Sequence, residues 1–127
     1  MSFSRKIIAL LFFFLWFCSE LAFSQKVDSS LLDSSTQLDL LKSPYRGLID
    51  NNGIVFLVNE DGKSVKAISK ENAIWNKNVV EDHLPFVGVK VIRHLSVKPD
   101  QIIAIFGKHC SVSLRKTDGA YSNLCCD

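Results

Sequence analysis

Five consecutive apolar residues, Ile54-Val55-Phe56-Leu57-Val58, lie between Asn52-Gly53 and Glu60-Asp61-Gly62. A run this short, rich in β-branched side chains and bounded by turn residues, predicts a buried strand. Asp-Gly is a tight-turn pair because glycine tolerates positive φ. Ser64–Ile68 is therefore expected to return as a hairpin partner, carrying Val65, Ala67 and Ile68.

The next segments predict a mixture of helix and strand. Ser69 is a helix cap with Glu71 in the first turn, and Lys70–Val80 places Ala73, Ile74, Trp75, Val79 and Val80 on one buried face before Pro85 ends it. Phe86–Val97 then predicts a strand in which Val87, Val89, Val91, Leu95 and Val97 alternate, shortened where Arg93 interrupts the apolar face. Pro99-Asp100 has the form of a helix start, Gln101–Phe106 would be the second short helix, and Gly107 its C-cap. In Ser111–Lys116, Val112 and Leu114 alternate with polar residues, as in a half-exposed strand, and Asp118-Gly119 is the last turn. The fold class expected is α+β: one small domain, a mixed or antiparallel sheet with two short helices packed on one face.

The N-terminus sets the compartment. Arg5 and Lys6 precede the apolar run Ile7–Phe17, and Ala22-Phe23-Ser24 supplies small residues before a cleavage point. This is the three-part pattern of a signal peptide, and a run of about 11 residues is shorter than the roughly 20 that span a bilayer. Residues 1–24 are read as the signal peptide, 25–43 as a mobile leader rich in Ser, Asp and Leu, and 44–127 as the domain. A retained anchor and a lipid-modified Cys18 are the alternatives, although Phe17 is bulky where a lipoprotein signal has a small residue. After cleavage the chain is expected in the periplasm or envelope, or secreted, with no transmembrane span.

The chain's formal net charge of +2 falls to +1 without Arg5, Lys6 and Glu20. No concentrated basic face is available for nucleic acid.

Asp61-Gly62-Lys63, then Val89, Ile92 and Leu95, then Ala104, Phe106 and Gly107, then Val112 and Leu114, follow one another in an order that resembles the plug domain of TonB-dependent outer-membrane receptors, in its stand-alone form without a barrel. The resemblance covers Ile54–Lys116. It departs from the family pattern at His94, where an apolar residue is usual, and in the missing Asn-Gly before the final strand. It implies an interaction domain without catalytic residues.

Export changes the reading of the cysteines, because thiols outside the cytosol tend to be oxidised. Of four cysteines, Cys110, Cys125 and Cys126 remain after cleavage. A disulfide from Cys110 to either Cys125 or Cys126 would pin the C-terminal tail, and the odd thiol makes a disulfide-linked dimer conceivable. The alternative is a metal site from His109, Cys110, Cys125 and Cys126, although adjacent ligands fit a tetrahedral site poorly. A catalytic thiol would need His83, His94 or His109 as its base. Glu81-Asp82-His83 reads as the polar end of a helix, His94 as a sheet residue and Trp75 as core. Phosphate-loop, G-x-S-x-G and H-E-x-x-H motifs are absent.

The function expected is an exported, non-enzymatic protein-interaction domain of the bacterial envelope, without a cofactor and with a protein partner. The alternatives are a disulfide-stabilised secreted inhibitor or binding module of unrelated fold, such as the cystatin-like helix-on-sheet type, and a small His/Cys metal-binding protein.

Overall fold

A computed structural model describes residues 27–127, which form two five-stranded β-sheets packed face to face. The strands in chain order are β1 (Leu32–Asp33), β2 (Gln37–Asp39), β3 (Gly47–Ile49), β4 (Val55–Val58), β5 (Ser64–Ser69), β6 (Asn72–Asn78), β7 (Ile92–Val97), β8 (Gln101–Phe106), β9 (Cys110–Arg115) and β10 (Tyr121–Cys126). One short helix, α1 (Val79–Asp82), joins β6 to the loop before β7, and a 3-10 turn at Ser29–Leu31 precedes β1.

Each sheet is built around an antiparallel meander. The first has the order β1-β3-β4-β5-β6 and the second β10-β9-β8-β7-β2. The N-terminal segment joins them, because β1 runs parallel to β3 while β2 pairs antiparallel with β7. Leu48, Phe56, Val65, Ala67 and Trp75 line the inner face of the first sheet. Leu38, Leu95, Ile102, Ala104, Phe106, Val112 and Leu114 line that of the second. Alternate side chains point into this two-layer core, as Ile102, Ala104 and Phe106 do along β8.

The fold is thus nearly all β, and the expectation of an α+β domain with two helices on one sheet face is corrected. The first predicted helix, Lys70–Val80, is mostly β6. Lys70 and Glu71 take left-handed φ values of 51° and 66° and form a two-residue hairpin turn between Ser69 and Asn72. Ser69 therefore ends a strand and caps no helix, and Ala73 and Ile74 are exposed instead of buried. Only Val79–Asp82 is helical, capped by the Asn78 side chain, which accepts from Glu81 N. The second predicted helix, Gln101–Phe106, is β8. Ile102, Ala104 and Phe106 are fully buried, and Ile103 and Ile105 face outward half-covered. Pro99-Asp100 lies in the β7–β8 turn, closed by Lys98 N donating to Gln101 O, and Gly107 lies in the next hairpin turn at φ 59°.

Two other boundaries move. The strand expected over Phe86–Val97 begins at Ile92, so Val87 and Val89 belong to an exposed loop. The leader expected over 25–43 supplies β1 and β2 from its described part, with Leu38 and Leu40 in the core. The strands that carry the plug-domain resemblance lie apart, Val55–Val58 in the first sheet and Ile92–Val97 in the second. The signal-peptide and Cys18 readings fall on residues outside those described. Among the described residues, no helix is long and apolar enough to cross a membrane.

A polar clasp fixes the two sheets to each other. Trp75 donates its indole N–H to Lys116 O at 2.8 Å, across the sandwich. Lys116 Nζ lies 3.1 Å from Asp50 Oδ2, with the two side chains only 11% and 4% exposed. Asp50 Oδ1 also accepts from Asn52 N and Ile54 N, both at 2.9 Å, and so closes the β3–β4 turn.

Candidate interaction surface

The cysteines pair as Cys110–Cys126, with Cα atoms 4.1 Å apart, joining the first residue of β9 to the last of β10. Cys125 is free and exposed. Adjacent strand residues point to opposite faces, so Cys125 stands in the outward row formed by Asp39, His94, Ile105 and Ser111. His109, Cys110, Cys125 and Cys126 therefore do not converge. Among the described residues, no three His, Cys, Asp or Glu side chains gather as metal ligands would.

The Glu81-Asp82-His83 cluster also disperses. Lys63 Nζ pairs with Glu81 at 3.2 Å on the surface. Asp82 Oδ2 accepts from the Tyr121 hydroxyl at 2.5 Å. Burial, and then this hydrogen bond to Asp82, push the Tyr121 phenol well above its usual range. His83 Nδ1 lies 2.6 Å from Val79 O, and its ring packs between Phe106 and Tyr121 at centroid distances of 5.5 and 4.5 Å. His83 thus packs from its loop against β8 and β10 of the second sheet.

The same end of the molecule carries a feature that periodicity concealed. The loop between α1 and β7 exposes Leu84 by 37%, Val87 by 73% and Val89 by 66%. Its backbone is nevertheless held firmly. Phe86 tucks inward, edge-on to the buried Phe106 at 5.0 Å. Lys108 N donates to Val87 O at 2.8 Å. From the other side, Arg93 donates from Nε to Gly107 O at 2.6 Å and from a terminal nitrogen to Lys108 O at 3.0 Å.

Two glycines allow this close approach. A Cβ on Gly88 would stand 2.3 Å from Lys108 N, and one on Gly107 would stand 2.5 Å from the Phe86 ring. Both residues also have positive φ, where side chains are strained. The signal available in the sequence was Val-Gly-Val after a proline, which breaks a strand as readily as it extends one.

Beside the loop lies a cleft of about 310 Å³, walled by Pro85, Phe86 and Val87 on one side and by Lys108, His109 and the Cys110–Cys126 bridge on the other. A more polar cleft between the sheets includes Ser35, Thr36, Asn52 and Lys98, and two of its three charged groups, Asp50 and Lys116, are engaged with each other. The apolar loop thus has the exposure of a contact surface and is tied to the second sheet at Phe86 and Val87. Comparisons with protein-family models, with curated proteins and with solved structures found no match to this chain.

Proposed function

We propose that this chain is an exported, non-enzymatic protein-interaction domain, and that the loop from Leu84 to Val89 is its contact surface. The observation that carries the reading is the exposure of Val87 and Val89 on a loop hydrogen-bonded at Val87 O to the β8–β9 turn. Apolar side chains held out into water add little to the fold, whereas against a partner they bury area, and a preformed loop lowers the ordering cost of doing so. The signal-like N-terminus and the bridged cysteines support placement outside the cytosol.

A photo-reactive residue placed at Val87 tests this in the cells that make the protein. It is expected to give one discrete cross-linked product on a chain whose N-terminus is Gln25, and the product is lost when Val89→Glu is added. The same probe at Asn76, exposed on β6, gives none. The paired control is stability: Val89→Glu is expected to change it by no more than about 0.5 kcal/mol, as at other exposed sites. Equal cross-linking from positions 87 and 76, or an N-terminus at Met1, would count against the reading.

A further inference from the structure

One extra residue in β10 decides which cysteine meets Cys110. β10 pairs Ser122 with Ser113, and next Cys125 with Ser111, so it contains a bulge relative to β9. Asn123 sits in that bulge with a left-handed φ of 54°, a conformation asparagine tolerates better than most residues. Continued without a bulge from Ser122 and Ser113, the ladder would set Asn123 against Val112, Leu124 against Ser111, and Cys125 against Cys110.

We propose that β10 is a two-register switch, bridging Cys110 to Cys126 when bulged and to Cys125 when regular. The free thiol belongs to the chain neighbour of the bridged Cys126, on the opposite face of the strand, so exchange requires the register shift; β10 is the edge of its sheet and is exposed from Ser122 to Cys126, so no further strand opposes that shift. The two registers offset each other. The bulged one leaves Leu124 53% exposed. The regular one carries Leu124 to the outward face beside Ser111 and the half-buried Ile105, but turns Asn123 toward the inner face at Val112.

The chemistry is an exchange with no net oxidation. Cys125 loses its proton to solvent, and its thiolate attacks Sγ of Cys110. The Cys110–Cys126 bond breaks as Cys110–Cys125 forms, and Cys126 leaves as a thiolate that takes a proton from solvent. Because Cys126 lines the cleft beside Val87, exchange rebuilds that wall. The proposal stands on strand register and is independent of the interaction reading.

Maleimide labelling of the unreduced full-length protein, quenched at about pH 5 and mapped by fragmentation of the C-terminal peptide, reads the free thiol directly. Label is expected at Cys125 in fresh protein and at both Cys125 and Cys126 after incubation at about pH 8.5, where thiolate is abundant. Asn123→Val, which resists the left-handed bulge, shifts the label to Cys126, and Asn123→Gly returns it to Cys125. Label confined to Cys125 in all three proteins after incubation overturns the proposal. A second measurement is independent of that bulge chemistry: Cys126→Ser is expected to form the intramolecular Cys110–Cys125 bridge as a monomer. If Cys110 and Cys125 of that variant both stay free, or link to a second chain, the switch does not exist.

Discussion

Replacing Asp50 with alanine is expected to destabilise the fold by about 3–5 kcal/mol, because it strands the buried Lys116 ammonium without its counter-charge. It also leaves the N–H groups of Asn52 and Ile54 without their shared acceptor. Lys116→Met is expected to cost less, since the remaining carboxylate keeps both backbone donors. The double variant should recover part of the Asp50→Ala loss, a coupling measurable by urea denaturation of the four proteins. The effect has a definite pH dependence. Burial alone would raise the Asp50 carboxyl, but the N–H of Ile54, the Lys116 ammonium and the N–H of Asn52 outweigh it and hold the group below its usual range. A carboxyl depressed on folding stabilises above its unfolded value, ordinarily about 4, and that contribution is lost as pH falls through the folded value. The gap between native protein and Asp50→Ala should therefore be constant from about pH 8 to about pH 5 and narrow below about pH 4. A gap that persists unchanged at about pH 2 would show that the carboxylate's charge is not what matters.

The hairpin of β4 and β5 was legible because local chemistry decided it: an apolar run, an Asp-Gly turn and a return with Val65 and Ala67 inward. β9 was legible as a strand from the alternation of Val112 and Leu114, but it is an inner strand with Ser113 buried rather than the half-exposed one expected. The helices failed where two periodicities fit one stretch. In Lys70–Val80, Trp75, Val79 and Val80 are buried as a helical face would have them, but they are buried from a strand and one turn of helix. What tips the balance is cross-strand pairing with β5, a long-range term that no local pattern expresses. Gln101–Phe106 shows the same ambiguity in a shorter run, and Pro99-Asp100 serves a hairpin turn as well as a helix start. The N-terminal strands were hidden differently. Leu32–Asp33 and Gln37–Asp39 are too short to show alternation, and they exist because each sheet offers an edge to pair with.

Site legibility divides in the same way. The three C-terminal cysteines pointed to one bridge and one free thiol, but the partner of Cys110 depends on a bulge at Asn123 that composition does not reveal. The apolar loop was read as strand because Val87, Val89 and Val91 alternate. The close approach of Gly88 to Lys108 N, which takes them out of the sheet, is a tertiary contact. Arg93, read only as an interruption of an apolar face, turns out to hold the opposite side of the same turn.

Phe106→Ala is expected to cost about 3–5 kcal/mol, the usual loss for a fully buried aromatic ring, and to do more than lower stability. Phe106 lies where three elements meet: it pairs with Ile92 and Cys110 across the second sheet, contacts the His83 ring, and receives Phe86 edge-on. Truncation would remove the surface on which Phe86 anchors the exposed loop. Hydrogen exchange at residues 84–89 should therefore rise far more than exchange in β4 and β5, at a denaturant concentration where the variant is still folded. Phe86→Ala separates anchoring from core loss, because Phe86 is only partly buried. It is expected to cost less stability yet loosen the same loop, and to weaken cross-linking from Val87 with the exposed valines still in place. If loosening the loop leaves that cross-link intact, the contact depends on apolar composition alone, and the glycines and Arg93 that hold the loop rigid serve the fold rather than the partner.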